Sequence, residues 1–238
     1  MNYMKEFCKQ ILALGYRHDI WQVWNDFLLM AATSLSNAFP SASRDAREQE
    51  YLHTISKYSK EEQQIFPELL AIVTAAFEEN PEQDFLGNAY AALNLNKKQS
   101  GQFFTPYHIC ELMSELNFHE NNLSEIKEKG YITMSDPACG AGAMLVAFAN
   151  VAKKHNINYQ QEVLFFAQDI DKTAALMCYI QLSLLGCSAF VIVGDSLVKP
   201  GFHPDNDVWV TPMLNIHQYR FQEYFQSGKA TEEPDYEK

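Results

Sequence analysis

Through the first 97 residues the apolar positions recur at intervals of three and four, as in Trp24, Phe27, Leu28, Ala31 and Leu35, which line one helix face. Ser59 followed by Glu62 has the form of a capping box, and Asn80-Pro81 offers a polar cap ahead of a first-turn proline, so helices are expected to start at both. The pattern predicts a bundle of about four or five helices, with Trp21 and Trp24 in its core. After Lys98 it changes to short apolar strands at Tyr131–Ser135, Val163–Ala167, Ala189–Val193 and Val208–Val210. Helical stretches at Ala143–His155 and Lys172–Leu185 separate them, Gly186 ending the second. Such alternation predicts a parallel sheet. Thr105 and Pro106 read as the cap and first-turn proline of another helix, with Ile109, Leu112, Met113 and Leu116 as its core-facing stripe. The expected organisation is a helical region over residues 1–97 and an α/β region over residues 98–238.

Composition narrows what such a chain does. Its 238 residues carry ample apolar content for a core, and the longest apolar runs, Ala143–Ala149 and Ala174–Ile180, are too short to span a bilayer. The amino terminus lacks a secretion signal, so the expected compartment is the cytoplasm. Five cysteines without a C-x-x-C pair fit a reducing environment and argue against a zinc site. A formal charge of −12 opposes encounter with nucleic acid, and the pairs Lys97, Lys98 and Lys153, Lys154 are too small to reverse it. The acid is spread through the helical first half and is dense in the tail Thr231–Lys238.

The candidate chemistry begins at DPACGAG, Asp136–Gly142, between a predicted strand and a predicted helix. In open parallel sheets ligands bind beyond the carboxyl ends of strands, and Gly140 and Gly142 let backbone approach a nucleotide there. A dinucleotide fingerprint would need a third glycine where Leu145 stands, which disfavours NAD. At the next strand's end Asp169 can accept from both ribose hydroxyls of an adenosine. One strand further, Asp195 can accept from the adenine amino group and Leu197 can give it apolar contact. Each carboxylate alone also reads as a cap or a surface charge; their ordered recurrence at three strand ends favours a site.

Four blocks together carry a resemblance: DFLGNAY leading into GQFFTP, then DPACGAGAML, FAQDIDKTAALMCYIQLSLLG and GDSL. From about Asp84 to Val210 the chain resembles the adenine N6 DNA methyltransferases, in particular the modification subunits of type I restriction systems. The resemblance implies a Rossmann-like sheet, here partial with about four or five strands, preceded by a helical domain. It implies S-adenosylmethionine as cofactor, with Phe103, Phe104 and Thr105 near its methionine part and Asp136, Cys139, Gly140 and Gly142 around it. Asp169 and Asp195 keep the ribose and adenine roles.

The family's catalytic element, an Asn or Asp, two prolines and an aromatic, falls on Thr211, Pro212, Met213 and Leu214, of which only the proline is kept. That element accepts hydrogens from the target amine and stacks a flipped base. Losing both functions costs on the order of 3–5 kcal/mol of transition-state stabilisation. Asn215 and Tyr219, just downstream, are the candidates to compensate for that loss. The short stretch after Thr211 is expected to add one strand or helix, but neither the whole second half of the sheet nor a DNA-reading surface. The resemblance implies a cofactor-binding relative with little activity alone; an active enzyme reaching DNA through a specificity partner and a purely interacting protein are the alternatives. A homo-oligomer covering the incomplete sheet edge is a further expectation, and no metal is expected.

Overall fold

The computed structural model describes residues 2–95 and 104–226. Phe103, the Lys97–Lys98 pair, the expected division at residues 97 and 98, and the acidic tail from Thr231 lie outside the described residues.

Five helices open the chain: α1 (Tyr3–Leu14), α2 (Ile20–Ser36), α3 (Arg44–Ile55), α4 (Lys60–Glu79) and α5 (Phe85–Ala92). Local chemistry sets several of their ends. Asp19 accepts from the backbone of Trp21 and Gln22 to start α2, and Ser59 with Glu62 forms the expected capping box of α4. The Asn80-Pro81 expectation is corrected. Asn80 is the carboxyl-terminal cap of α4, with φ −142° and ψ 100°, because a residue before proline is pushed out of the helical region. The next helix waits for Asp84, whose carboxylate accepts from Gly87 N–H at 2.9 Å.

Next come α6 (Tyr107–Asn117), α7 (Glu120–Lys129), β1 (Ile132–Asp136), α8 (Ala143–Lys154), the short α9 (Tyr159–Glu162), β2 (Val163–Asp169), α10 (Lys172–Leu185) and β3 (Ser188–Val193). Then β4 (Asp207–Val210), α11 (Pro212–His217), a 3-10 turn and α12 (Gln222–Gln226) complete the described chain. The sheet order is β1-β2-β3-β4. The first three strands are parallel, and their carboxyl ends align through the pairs Asp136 with Ala167 and Asp169 with Val193.

The fourth strand departs from the expected parallel pattern: β4 runs antiparallel to β3, Val210 opposite Phe190 and Asp207 opposite Val193. The connection explains the reversal. A parallel return needs a crossover, usually a helix, whereas residues 194–206 contain Pro200, Gly201 and Pro204 and form turns. The Gln168 carboxamide fastens this loop, donating to Gly194 and Lys199 carbonyls and accepting from Gly201 N–H.

One hydrophobic cluster joins Phe7, Trp24 and Phe27 of the helical region with Phe165, Tyr179 and Trp209 of the sheet region. Polar contacts cross the same boundary. Arg47 of α3 donates to Asp207 and to the Val208 carbonyl, each at 2.9 Å, and its guanidinium lies 3.6 Å over the Trp209 ring. The opposite sheet face packs Leu164 and Phe190 against Leu214 and Phe221.

The stripe expected to turn α6 toward the core faces outward instead: Ile109, Leu112, Met113 and Leu116 are all exposed. The helix docks on α8 through its other side. Cys110 and Ser114 are buried there, small enough for close approach, while Glu111 and Glu115 pair with Lys154 and His155.

Candidate functional site

At the carboxyl ends of β1 and β2 lies a cleft of about 490 Å³, lined by Phe104, Thr105, Asp136, Cys139, Gly140 and Asp169 among others. Its size falls within the roughly 300–1,000 Å³ usual for small-molecule sites. Larger hollows along α1, about 770 Å³, and beside α11 and α12, about 740 Å³, lie away from the strand ends.

The loop from Pro137 to Gly142 is shaped by its two glycines. Gly140 has φ +54° and Gly142 φ +92°, conformations that side chains with a Cβ resist. A Cβ on Gly140 would stand 2.9 Å from the Phe104 ring, so the aromatic packs directly on the loop. Phe104 also meets Tyr90, ring centres 5.6 Å apart. Cys139 N–H donates to the Gln168 carbonyl and Gly140 N–H to Asp169 Oδ2 at 2.8 Å, binding the loop to the end of β2. The Cys139 thiol is buried beside Cys178, and their hydrogen bond, followed by burial, holds it well above its ordinary range.

Asp169 is 7 % exposed. Its Oδ1 accepts from Asp171 N–H and its Oδ2 from Gly140 N–H, which leaves further acceptor capacity on both oxygens. Asp136 accepts from Ala138 N–H. Burial, and with it the charge of Asp169, raises the Asp136 carboxyl above its usual range. Among the described residues no lysine, arginine or histidine lines the cleft.

The remaining predicted residues are distributed differently. Gly142 caps α8 behind the cleft wall. Asp195 stands one strand beyond Asp169 and accepts from Leu197 and Val198 N–H, closing its own turn. Leu197 is 93 % exposed. Thr211 and Pro212 are not brought to this edge. Because β4 is antiparallel, Thr211 follows it to the amino end of β3, where its N–H donates to the Ala189 carbonyl. That is about 13 Å along the strand from Val193 at a rise of ~3.3 Å per residue. Thr211 is fully buried, its hydroxyl donating to the Cys187 carbonyl and accepting from Ala189 N–H.

Several residues here had no predicted role. Cys110, Ala138 and Met144 line the cleft, and Ile170, 70 % exposed, follows Asp169 at the strand end. Gln181 is a polar residue inside the apolar run of α10, a visible signal whose partners only folding reveals. Among the described residues no group of three or more His, Cys, Asp or Glu side chains is arranged to hold a metal ion, and no helix is long and apolar enough to cross a membrane.

Three parallel strands with a glycine loop after the first and a carboxylate after the second define a Rossmann-like α/β fold. The chain belongs to the N-6 DNA Methylase family, which matches residues 81–233. It is similar to two type I restriction enzyme methylase subunits of Methanocaldococcus jannaschii. It is 26% identical to the MjaVIII subunit over 152 residues, covering 61% of this chain and 24% of that protein. Against the MjaVII subunit it is 25% identical over 158 residues, covering 63% and 25%. These matches span about a quarter of each relative's length. No solved structure matches the chain significantly.

Proposed function

We propose that this chain is an S-adenosylmethionine-binding member of the DNA adenine-N6 methyltransferase family that transfers little or no methyl group alone. The observation carrying this reading is the charge of the cleft: among the described residues Asp136 and Asp169 line it and no basic side chain does. A pyrophosphate would meet repulsion there, whereas S-adenosylmethionine brings an ammonium and a sulfonium. The two left-handed glycines supply the close backbone approach that such a ligand needs.

The bound cofactor supplies an activated methyl group; the chain's residues hold and orient it. Asp169 has acceptor capacity for the ribose hydroxyls, and Asp195 with Leu197 stands one strand further for the adenine. Asp136, Cys139, Gly140, Phe104 and Thr105 enclose the methionine end, where Phe103 is also assigned. Thr211 and Pro212 take no direct part in this reading, since the Thr211 hydroxyl is engaged by backbone at the far end of β3. The net charge of −12 supports leaving DNA contact to another chain.

Calorimetric titration with S-adenosylmethionine and S-adenosylhomocysteine tests the reading. Saturable binding is expected, and Asp169→Ala should weaken it at least about tenfold, the worth of one charge-assisted hydrogen bond at about 1.5–3 kcal/mol. Absence of heat and of thermal stabilisation at millimolar ligand would remove the cofactor assignment.

The raised Asp136 carboxyl sets a pH dependence. A cation beside it favours the ionised form, so binding lowers its pKa and releases protons. Affinity for S-adenosylmethionine should therefore fall as pH drops through the free-state pKa of Asp136. In Asp136→Asn that acid limb should disappear from the profile of Kd against pH.

A second reading rests on the names of the relatives, which are subunits, and on the quarter of their length that is matched. Here a partner polypeptide supplies the acceptor-binding surface and completes an active adenine methyltransferase. Labelled methyl transfer to mixed duplex DNA, with the chain alone and with host extract added, separates the two. Transfer by the chain alone, lost in Thr211→Ala, would overturn the first.

A further inference from the structure

Besides its bonds to the end of β2, the glycine loop has an anchor on α10. Gln181 on α10 is fully buried. Its Nε2 donates to the Ala141 carbonyl at 2.7 Å and to Asp84 Oδ1 at 2.9 Å, while its Oε1 accepts from Leu86 N–H at 3.0 Å. Those partners fix the amide's orientation, because a flipped group would set its oxygen against two acceptors. Asp84 in turn accepts from Gly87 N–H, so the carboxamide joins the first turn of α5 to the loop between β1 and α8.

Ala141 is the residue between Gly140 and Gly142, both in left-handed conformations with few steric constraints of their own. Fixing the Ala141 carbonyl sets the rotation of the peptide that precedes Gly142. Asp169 holds the other end through Gly140 N–H. The two flexible residues are thus clamped from opposite sides, one clamp polar and wholly buried, where an unmade hydrogen bond is costly.

We propose that Gln181 is the positioning residue of the cofactor loop, acting through the Ala141 carbonyl to hold Gly140–Gly142 in the conformation that receives ligand. The proposal rests on the cofactor reading given above for its consequence in binding, but its effect on the loop is measurable without ligand. Gln181→Met keeps volume and removes the carboxamide. Gln63→Met is the control: the Gln63 amide donates to the Ile55 and Tyr58 carbonyls in the helical region, far along the chain from the loop.

Two readouts decide. Hydrogen exchange by mass spectrometry should show the 137–142 segment exchanging at least tenfold faster in Gln181→Met, with α8 and α10 still protected. Calorimetry should show the Kd for S-adenosylhomocysteine weakened about ten- to a hundredfold. Gln63→Met should leave both at the wild-type level while lowering Tm. Loop exchange and Kd within threefold of wild type in Gln181→Met would overturn the proposal. If the wild-type chain binds no ligand, the cofactor reading falls, and loop exchange alone decides this one. Should Gln181→Met not fold, Gln181→Asn carries the same two measurements, since shortening by one methylene withdraws the amide from Ala141.

Discussion

Gly142→Ala is expected to destabilise the chain by about 3–4 kcal/mol, and to abolish measurable binding of S-adenosylmethionine. Two costs combine. At φ +92° an L-residue pays roughly 1–2 kcal/mol for left-handed backbone. The new Cβ would also stand 2.7 Å from Cys178 Sγ and 3.2 Å from Cys178 Cα, and overpacking of this kind costs about 1–3 kcal/mol. The Cys178 backbone belongs to α10 and cannot yield without moving that helix. Gly130→Ala separates the terms, since Gly130 has φ +83° but nothing within 4 Å of its added Cβ. It should cost only about 1 kcal/mol, or roughly 2–4 °C in Tm, against about 6–15 °C for Gly142→Ala. Equal losses in thermal melts would show that no steric term operates at Gly142.

The second large effect is expected at Arg47, which ties α3 to the start of β4. Arg47→Met leaves the Val208 carbonyl and the Ser36 hydroxyl without their donor, and removes the cation over Trp209. Breaking a fully buried pair costs about 3–5 kcal/mol, but the Asp207 side chain is 44% exposed and can turn to water. A loss of about 2–3 kcal/mol follows. Arg47→Lys should recover little of it, because an ammonium cannot reach two acceptors and a ring face in one planar geometry. Urea unfolding followed by tryptophan fluorescence measures the loss. Full recovery in Arg47→Lys would mean that charge alone, rather than the forked geometry, fixes β4 beneath the helices.

Much of the site was legible because its signals are local. DPACGAG carries its own turn chemistry, and in the fold Gly140 and Gly142 take the left-handed conformations that glycine permits. Asp169 ends a strand in the sequence pattern and ends β2 in the fold, lining the cleft with Asp136. The capping box at Ser59 and the helix stop at Gly186 are likewise settled within a few residues. Asn80-Pro81 misled because the same pair that permits a start also enforces a stop.

What resisted reading depended on partners distant in the chain. The apolar alternation of Val208–Val210 is the same for either strand direction, and only the turn-forming connection at 194–206 decides for antiparallel. The stripe on α6 has the spacing of a buried face, yet close docking on α8 selected Cys110 and Ser114 instead. Gln181 stood in plain view inside an apolar run, but its partners Asp84, Leu86 and Ala141 lie between 40 and 97 residues away in sequence.

By itself, then, the amino-acid sequence determined the helical first region, the three parallel strands, the glycine loop and the carboxylates that follow the strands. Spacing, turn chemistry and capping act over a few residues and need no knowledge of the rest of the chain. The tertiary structure alone decided that β4 turns back, that Thr211 is sealed at the far end of the sheet, and that Arg47 and Gln181 tie the helices to the strands. Those outcomes rest on pairing and packing between distant segments, where burial of a polar group is decided by the partner that meets it.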